Sequence, residues 1–491
     1  MTTICSAKQA RDFDQRTIEH YQIPSLVLME HAAIECARFI EAKHPKQILV
    51  VCGSGNNGGD GLAIARLLIQ AHIPVDIYLV GTHFSDANLH QQNILKKMGV
   101  SVQTDWTMMK DNIYTYIIDC IFGNGLSREI KEPYYSLIDD INKNDSPTIS
   151  IDVPSGLDAT SGEILGIAIH ADITLSLDCI KWGQITNQGP SICGQLHCFE
   201  IGIIHDAPTM QLIDKTTIHL PERSNLAHKG TFGKALMIGG SHAMHGAITM
   251  AAKACYKSGI GTLTLMLPNS IADILAYKMD SAMRLIYPQE NFDSRSPLFL
   301  QTNMEKFDLL SIGNGMGQVP STIEMVHTAL ASTKPVLVDA DGLWALQEHP
   351  EWLHRQAPTI ITPHVKEFSY LTHQDVSTIA KHPLASIQPF VEAYPEVTLV
   401  LKSNVTVVAQ GTSQYVLYAP NSALSKGGSG DILCGIITGL YGQCKNVLQS
   451  AITGVYIHSQ CAKVDMDSAC VQPDDIIDQL PTVFRQLRKK G

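Results

Sequence analysis

The sequence predicts an α/β protein of two domains, each a parallel sheet with crossover helices, and three observations carry that reading. Short β-branched runs alternate with segments of helical period along the chain, as strands joined by helices do. At 491 residues the chain exceeds one ordinary core, because domains run to ~100–200 residues. The alternation lapses between about His205 and Asn225, where polar residues, Pro208 and Pro221 interrupt it. The boundary belongs in that lapse, giving domains over residues 1–215 and 220–491.

The elements follow in order. Ser6-Ala7-Lys8-Gln9 has the hydroxyl and amide of a capping box, so a helix starts there. A second helix opens at Ser25 and stops near His44-Pro45, because proline cannot continue it. Strands of the first domain are expected at Gln47–Cys52, Val75–Val80, Tyr116–Cys120, Thr148–Val153 and Ile173–Leu177. Those of the second are expected at Lys234–Gly239, Thr262–Leu267, Leu309–Gly313, Pro335–Val338, Thr359–Thr362 and Thr398–Leu401.

Composition narrows the function. Hydrophobic residues at 45% and charged residues at 17% supply an ample core. A net charge of −11 argues against a nucleic-acid backbone or an anionic membrane as main partner, but not against nucleotides held by local loops. No charged-then-apolar leader and no apolar run of ~18 residues is seen, which predicts a cytoplasmic protein. The 12 cysteines lack C-x-x-C pairs and read as free thiols in a reducing compartment. Self-association is left open.

In the second half, Ser425-Lys426-Gly427-Gly428-Ser429-Gly430-Asp431 runs into the apolar segment Ile432–Ile437. Glycines let backbone N–H groups converge, and the following helix adds partial positive charge, so the turn is suited to an anion. Asp431 on that rim would be repelled by phosphate unless it accepts the proton of a hydroxyl undergoing phosphorylation; the alternative is a simple helix cap. No G-x-x-x-x-G-K-[ST] is found, which argues against a P-loop.

In the first half, Gly53-Ser54-Gly55-Asn56-Asn57-Gly58-Gly59-Asp60 satisfies G-x-G-x-x-G after a strand. Plain dinucleotide binding is disfavoured. Asp76 lies at the start of the next strand, and Asn56, Asn57 and Asp60 crowd the turn with polar groups. Loops at Asp119–Leu126, Asp152–Asp158 and Leu177–Gly183 bring carboxylates, amides and hydroxyls to one sheet edge.

Leu28-Met29-Glu30-His31-Ala32-Ala33, the Asn56–Asp60 loop, Gly123–Leu126 and Ile151–Asp158 resemble the NAD(P)H-hydrate epimerase domain of YjeF N-terminal type, a Rossmann-like three-layer fold. The resemblance implies that Asn57, Asp119 and Ser155 bind a monovalent cation, K+. It implies substrate contacts from Asn56, Asn57, Gly58, Gly59, Asp60, Gly123, Asn124, Gly125, Leu126, Ser127, Arg128, Glu129 and Asp152. Asp152 is the candidate acid–base residue; Lys181 is expected to be a solvated lysine, with help to Asp152 as the alternative. Asn124 departs from the small hydroxyl residue usual there.

His228–Gly233, Gly239-Gly240-Ser241, Gly246-Ala247, Gly313–Gly317, Val338–Leu343, Thr362-Pro363-His364 and Lys402, ending in Gly427–Asp431, resemble the ribokinase-like ADP/ATP-dependent NAD(P)H-hydrate dehydratase. That resemblance implies catalysis by Asp431 and hydrate contacts from Ala247, Gly315, His364 and Asp431. It implies nucleotide contacts from Lys402, Ser403, Asn404, Val405, Thr406 and Gly430, with Mg2+ on the phosphates. For His364, capping a turn is the alternative. Departures are Asn314 for proline, Val365-Lys366 for proline and glycine, Ser403 for glycine and Trp344 for asparagine. Together the resemblances imply a bifunctional enzyme acting on NADHX and NADPHX with ADP or ATP. The alternatives are a small-molecule kinase for a vitamin precursor, and a nucleotide-sensing first half without catalysis.

Overall fold

In the computed structural model, which describes residues 2–207 and 210–489, the chain divides into two compact units, residues 2–210 and 211–491. Pro208 lies outside the described residues.

The first unit holds a six-stranded parallel sheet in the order Val75–Leu79, Ile48–Cys52, Tyr116–Cys120, Thr148–Ile151, Ile173–Leu177, Gln195–Phe199. Its central strands are apolar on both faces because helices cover both. Ile48, Val50 and Cys52 share a core with Cys36 of helix Ser25–Glu41 and Leu62 and Leu68 of helix Asn56–Gln70. Leu49 and Val51 point the other way, against Leu137, Ile138 and Ile141 of helix Tyr134–Lys143. That two-residue alternation makes three layers. The first helix, Ala7–Glu19, carries the expected capping box, with Ser6 Oγ accepting from Gln9 N–H and Gln9 Oε1 accepting from Ser6 N–H. Strand Thr3–Cys5 pairs in parallel with Ile180–Lys181, which registers Cys5 against Lys181.

After Ile48–Cys52 the chain adds a strand on one side, then returns to add the next on the other. The crevice at that reversal is where ligands bind in open α/β sheets. Loops 53–60 and 121–126 flank it.

The second unit repeats the device. Its strand order is Met283–Tyr287, Thr262–Pro268, Lys234–Ile238, Leu309–Ile312, Val336–Val338, Thr359–Ile361, Val397–Leu401, parallel throughout. Val405–Gln410 and Ser413–Tyr418 then add an antiparallel ribbon. The reversal lies between Lys234–Ile238 and Leu309–Ile312, and Gly240 N–H donates to Asn314 O across it at 2.8 Å. Helix Ser429–Cys444 packs Leu433 and Ile437 against Leu337 and Val400 of the sheet, which brings Asp431 to the strand ends.

Several strands stop short of their sequence pattern. Thr148–Val153 was the expected span, yet the strand ends at Ile151 because Asp152 adopts φ +68°. Asp178 and Ala340 follow their strands with φ of +67° and +50°. Left-handed backbone costs an L-residue ~1–2 kcal/mol, and here it turns side chains at three strand ends out of the sheet. Ser25 is the first residue of its helix, Pro24 serves as the N-cap, and the helix ends at Glu41.

Candidate active sites

The crevice of the first unit opens into a cavity of about 780 Å³. Asn56, Asn57 and Asp60 line it from one loop, Gly123, Asn124, Gly125, Leu126, Ser127 and Arg128 from the next, and Asp152 and Lys181 from the floor. The fit is close, since a Cβ on Gly123 would lie 3.0 Å from Asp152 Oδ2 and 3.3 Å from Asn57 Cβ. Gly58 and Gly59 do not line the cavity. They form the first helical turn, where a Cβ on Gly58 would lie 1.9 Å from Gly53 O. Glu129 is exposed and also outside the lining.

Asp152 is held from two sides. Asn124 N–H donates to Oδ2 at 3.0 Å, and Lys181 Nζ donates to Oδ1 at 2.5 Å. The solvated Lys181 expected from sequence is therefore wrong: its side chain is 2% exposed and also donates to Leu177 O. The short strand Ile180–Lys181 carries it into the core, and two residues in isolation give no sequence signal. Burial would depress the ammonium, but the Asp152 carboxylate overrides it and leaves the pKa raised. Asp60 is driven the other way. Burial first, then Asp152 and Asp14, lift its carboxyl well above the ordinary range. One cavity thus holds a lysine-paired aspartate and a second carboxyl whose burial favours its protonated form.

Behind the floor, Asp119 is fully buried and accepts from Ser150 Oγ, Ser155 N–H, Ser155 Oγ and Ile121 N–H. Asn57 contrasts with it, as both amide atoms are buried without a hydrogen-bond partner. Such an orphaned amide needs an occupant, because leaving it bare costs ~1–3 kcal/mol.

In the second unit, Asp431 sits in the first turn of Ser429–Cys444, after Gly428 at φ +97°. Only glycine fits at 428, where a Cβ would lie 2.6 Å from Met250 Sδ. Lys426 turns away and donates to Ala469 O and Val471 O, pinning the loop from behind. Asp431 Oδ1 accepts from Asn314 Nδ2 at 2.7 Å. Burial, then Asp339, pushes Asp431 up to about 6 against the Asn314 bond and Lys402.

Beside it, Asp339 is 1% exposed and accepts from Lys402 Nζ at 3.0 Å, Thr362 Oγ1 at 2.7 Å and Asn314 Nδ2 at 3.2 Å. Lys402, Ser403, Asn404, Thr406, Ser429, Gly430 and His364 line a cavity of about 440 Å³. Val405 is buried in its strand instead. Ala247 and Gly315 adjoin each other, a Cβ on Gly315 lying 3.1 Å from Ala247 Cβ.

His364 does cap its helix. Its Nδ1 accepts from Lys366 N–H and Glu367 N–H, both at 3.1 Å, which leaves the ring proton on Nε2. It also borders a second cavity, with Asp341, Trp344 and Glu367. Burial pushes Glu367 up to about 7, Lys402 opposing and Asp339 adding.

From sequence, Lys181 is an aid to Asp152 only as the alternative to a solvated lysine, and Asp339, Asn314 and Glu367 carry no role. Asp339 and Asn314 stood in turns already singled out as strand ends, and that position was the available signal.

Similarity to known proteins extends over both units. Residues 25–183 match the family described as YjeF-related protein N-terminus, and residues 235–482 match the NAD(P)H-hydrate dehydratase family. The bifunctional NAD(P)H-hydrate repair enzyme Nnr of Moorella thermoacetica is 31% identical, covering 99% of this chain and 97% of its own. The enzyme of the same name from Coxiella burnetii is 31% identical, covering 94% of each. Among solved structures, the ADP/ATP-dependent NAD(P)H-hydrate dehydratase from Bacillus subtilis, co-crystallized with ATP and Mg2+, is similar with a TM-score of 0.51. It is 27% identical and covers 57% of this chain and 99% of that one.

Proposed function

This chain belongs to the family of bifunctional NAD(P)H-hydrate repair enzymes, and on that premise we propose how its own residues divide the two reactions. The protein epimerises the R and S hydrates of NADH and NADPH, and dehydrates the S form to the reduced nucleotide with consumption of ADP or ATP.

Epimerisation takes place in the 780 Å³ cavity. The hydrate carries a hydroxyl on the carbon beside a ring nitrogen. Asp60, protonated, donates to that hydroxyl as the C–O bond breaks and the nitrogen lone pair forms an iminium. Asp152, oriented by its bond from Lys181, takes a proton from the water that adds to the opposite face. Asn56, Asn57 and residues 123–128 enclose the ring, while Gly58, Gly59 and Glu129 act through the shape of their loops. A monovalent cation such as K+ suits the neutral and singly charged oxygens of Asn57, Asp119 and Ser155, with the orphaned Asn57 Oδ1 as its first partner. When bound it supplies charge that draws the two loops together.

Dehydration takes place at Asp431. The observation that carries this reading is a half-buried carboxyl, pushed to about 6, on the rim of the Gly427–Gly430 anion loop. Asp431 takes the hydroxyl proton of the S hydrate, and the freed oxygen attacks the terminal phosphoryl group of the nucleotide. The loop amides receive the developing charge. The C–O bond then breaks with the nitrogen lone pair, phosphate departs, and loss of the adjacent ring proton restores the dihydronicotinamide. Lys402 to Thr406 and Gly430 hold the nucleotide, whose phosphates carry Mg2+. Ala247, Gly315 and His364, through its Nε2–H, face the hydrate. Twelve free cysteines suit a reducing cytoplasm, and among the described residues no helix is long and apolar enough to cross a membrane.

The test is recovery of reduced-nicotinamide absorbance from mixed R and S hydrates, with and without ADP or ATP and Mg2+. Full recovery that requires the nucleotide supports both assignments. Accumulation of a stable phosphate ester would instead make the second unit a simple kinase.

A further inference from the structure

Asn314 is wholly buried, and its amide meets three partners. Nδ2 donates to Asp431 Oδ1 at 2.7 Å and to Asp339 Oδ2 at 3.2 Å, while Oδ1 accepts from Cys434 Sγ at 3.3 Å. Two carboxylates can only accept and a thiol can donate, so the amide has one consistent orientation. Its two N–H groups are both used, one on each carboxylate. No other standard side chain of that size offers two N–H donors and an acceptor in one plane.

We propose that Asn314 is a positioning residue for the dehydration, an amide bridge that holds Asp431 against the like charge of Asp339 and aims its free oxygen at the substrate hydroxyl. Asp431 Oδ2 accepts no hydrogen bond from the described residues, so the bridge fixes which oxygen is the base. Without it, two carboxylates at the same strand edge repel each other, and the carboxyl at 431 swings or takes up a proton. The bridge also extends Lys402–Asp339 to Asp431, which joins the nucleotide side of the site to the base. The groups facing Asp431 are Asp339, Asp341, Lys402 and Cys434, and the donor that reaches its carboxylate is Asn314.

The inference rests on Asp431 being the base, and the test separates the two. In the full-length protein, Asn314→Leu removes both donors at similar volume, and Asn314→Ser keeps one short donor. Dehydration of the S hydrate is followed from about pH 5 to 9, with epimerisation in the same sample as the check on folding. Removing a bond that favours the charged carboxylate raises its pKa. The acid limb of kcat/KM is therefore expected to move up by about one pH unit in Asn314→Leu, a roughly fivefold loss at pH 6 that approaches tenfold by pH 5. Part of the loss recovers above pH 8, KM for the nucleotide is unchanged, and Asn314→Ser lies between. An unmoved acid limb with a uniformly lower plateau would make Asn314 a packing residue and overturn the proposal. If Asp431→Asn retained wild-type dehydration, the assignment of the base would fail instead. Loss of epimerisation in Asn314→Leu would mark that variant as misfolded, and Asn314→Ser then decides by the same criterion.

Discussion

Both sites place a lysine–aspartate pair at a sheet edge, buried in the first and partly buried in the second, yet they use it differently. In the first unit Lys181 pairs with Asp152 itself, the residue assigned to the chemistry, at 2.5 Å. In the second, Lys402 pairs with Asp339, and the chemistry is assigned to Asp431 one amide further on. In the first the cation touches the reacting carboxylate itself, an arrangement that suits a base taking its proton from a water adding to an iminium. Asp431, one step removed from the cation, is pushed up to about 6 by burial and then by Asp339, closer to neutral pH, and is a better acceptor for an alcohol proton. One chain thus sets its lysine at two different removes from the aspartate assigned to the chemistry.

The comparison breaks most sharply at the acids. Asp431→Asn keeps the shape and removes the base. Dehydration should fall by about 10³-fold with epimerisation unchanged, measured on the two hydrates separately. Asp152→Ala should do the reverse by about 10²–10³-fold. Equal loss of both activities in either variant would mean one shared site or a misfolded chain.

Lys181→Met tests the direct pair. It leaves Asp152 in a buried site without its cation, and breaking such a pair costs about 3–5 kcal/mol. The first unit should lose stability by that order in urea, and epimerisation should fall while dehydration persists in the fraction still folded. Retention of full epimerisation would make Lys181 a structural lysine only.

The two activities should also respond to pH with opposite sign. A base works when ionised, so dehydration falls as pH drops through about 6, the pKa to which Asp431 is pushed. An acid works when protonated, so epimerisation falls as pH rises through the raised pKa of Asp60. Rates of the two reactions across pH 5 to 9 check this, and parallel profiles would remove Asp60 from its role.

Much of this difference was legible in the chain. The strand–helix alternation gave the sheets, and the glycine loops at strand ends marked both crevices, because tight turns and anion sites require residues that no other local feature supplies. Asp152 and Asp431 were legible for the same reason. Lys181 was not, since its burial depends on strand Thr3–Cys5, far away in sequence, pairing with a two-residue strand. Nor was the early end of the strand before Asp152, because the left-handed backbone there runs against the residue's local preference. Asn314 and Asp339 sit on visible turns, but their partners come from helices and strands more than twenty residues away.

The smallest expected effect sharpens the role of Asp339. Thr362 Oγ1 donates to Asp339 Oδ1 inside the core, one of three donors to that carboxylate. Thr362→Val keeps the shape and removes only that bond. If Asp339 is a counter-charge that anchors Lys402 and Asn314, two donors remain and the cost is about 1 kcal/mol of stability, read as a shift in denaturant midpoint. Dehydration should then drop no more than a few fold, with its acid limb still near 6, because the Asn314 bond to Asp431 is intact. A large loss of rate with unchanged stability would mean that Asp339 itself exchanges a proton during turnover. The lysine-paired carboxylate would then be the reacting group in both units, and the distinction between direct and bridged pairing would vanish.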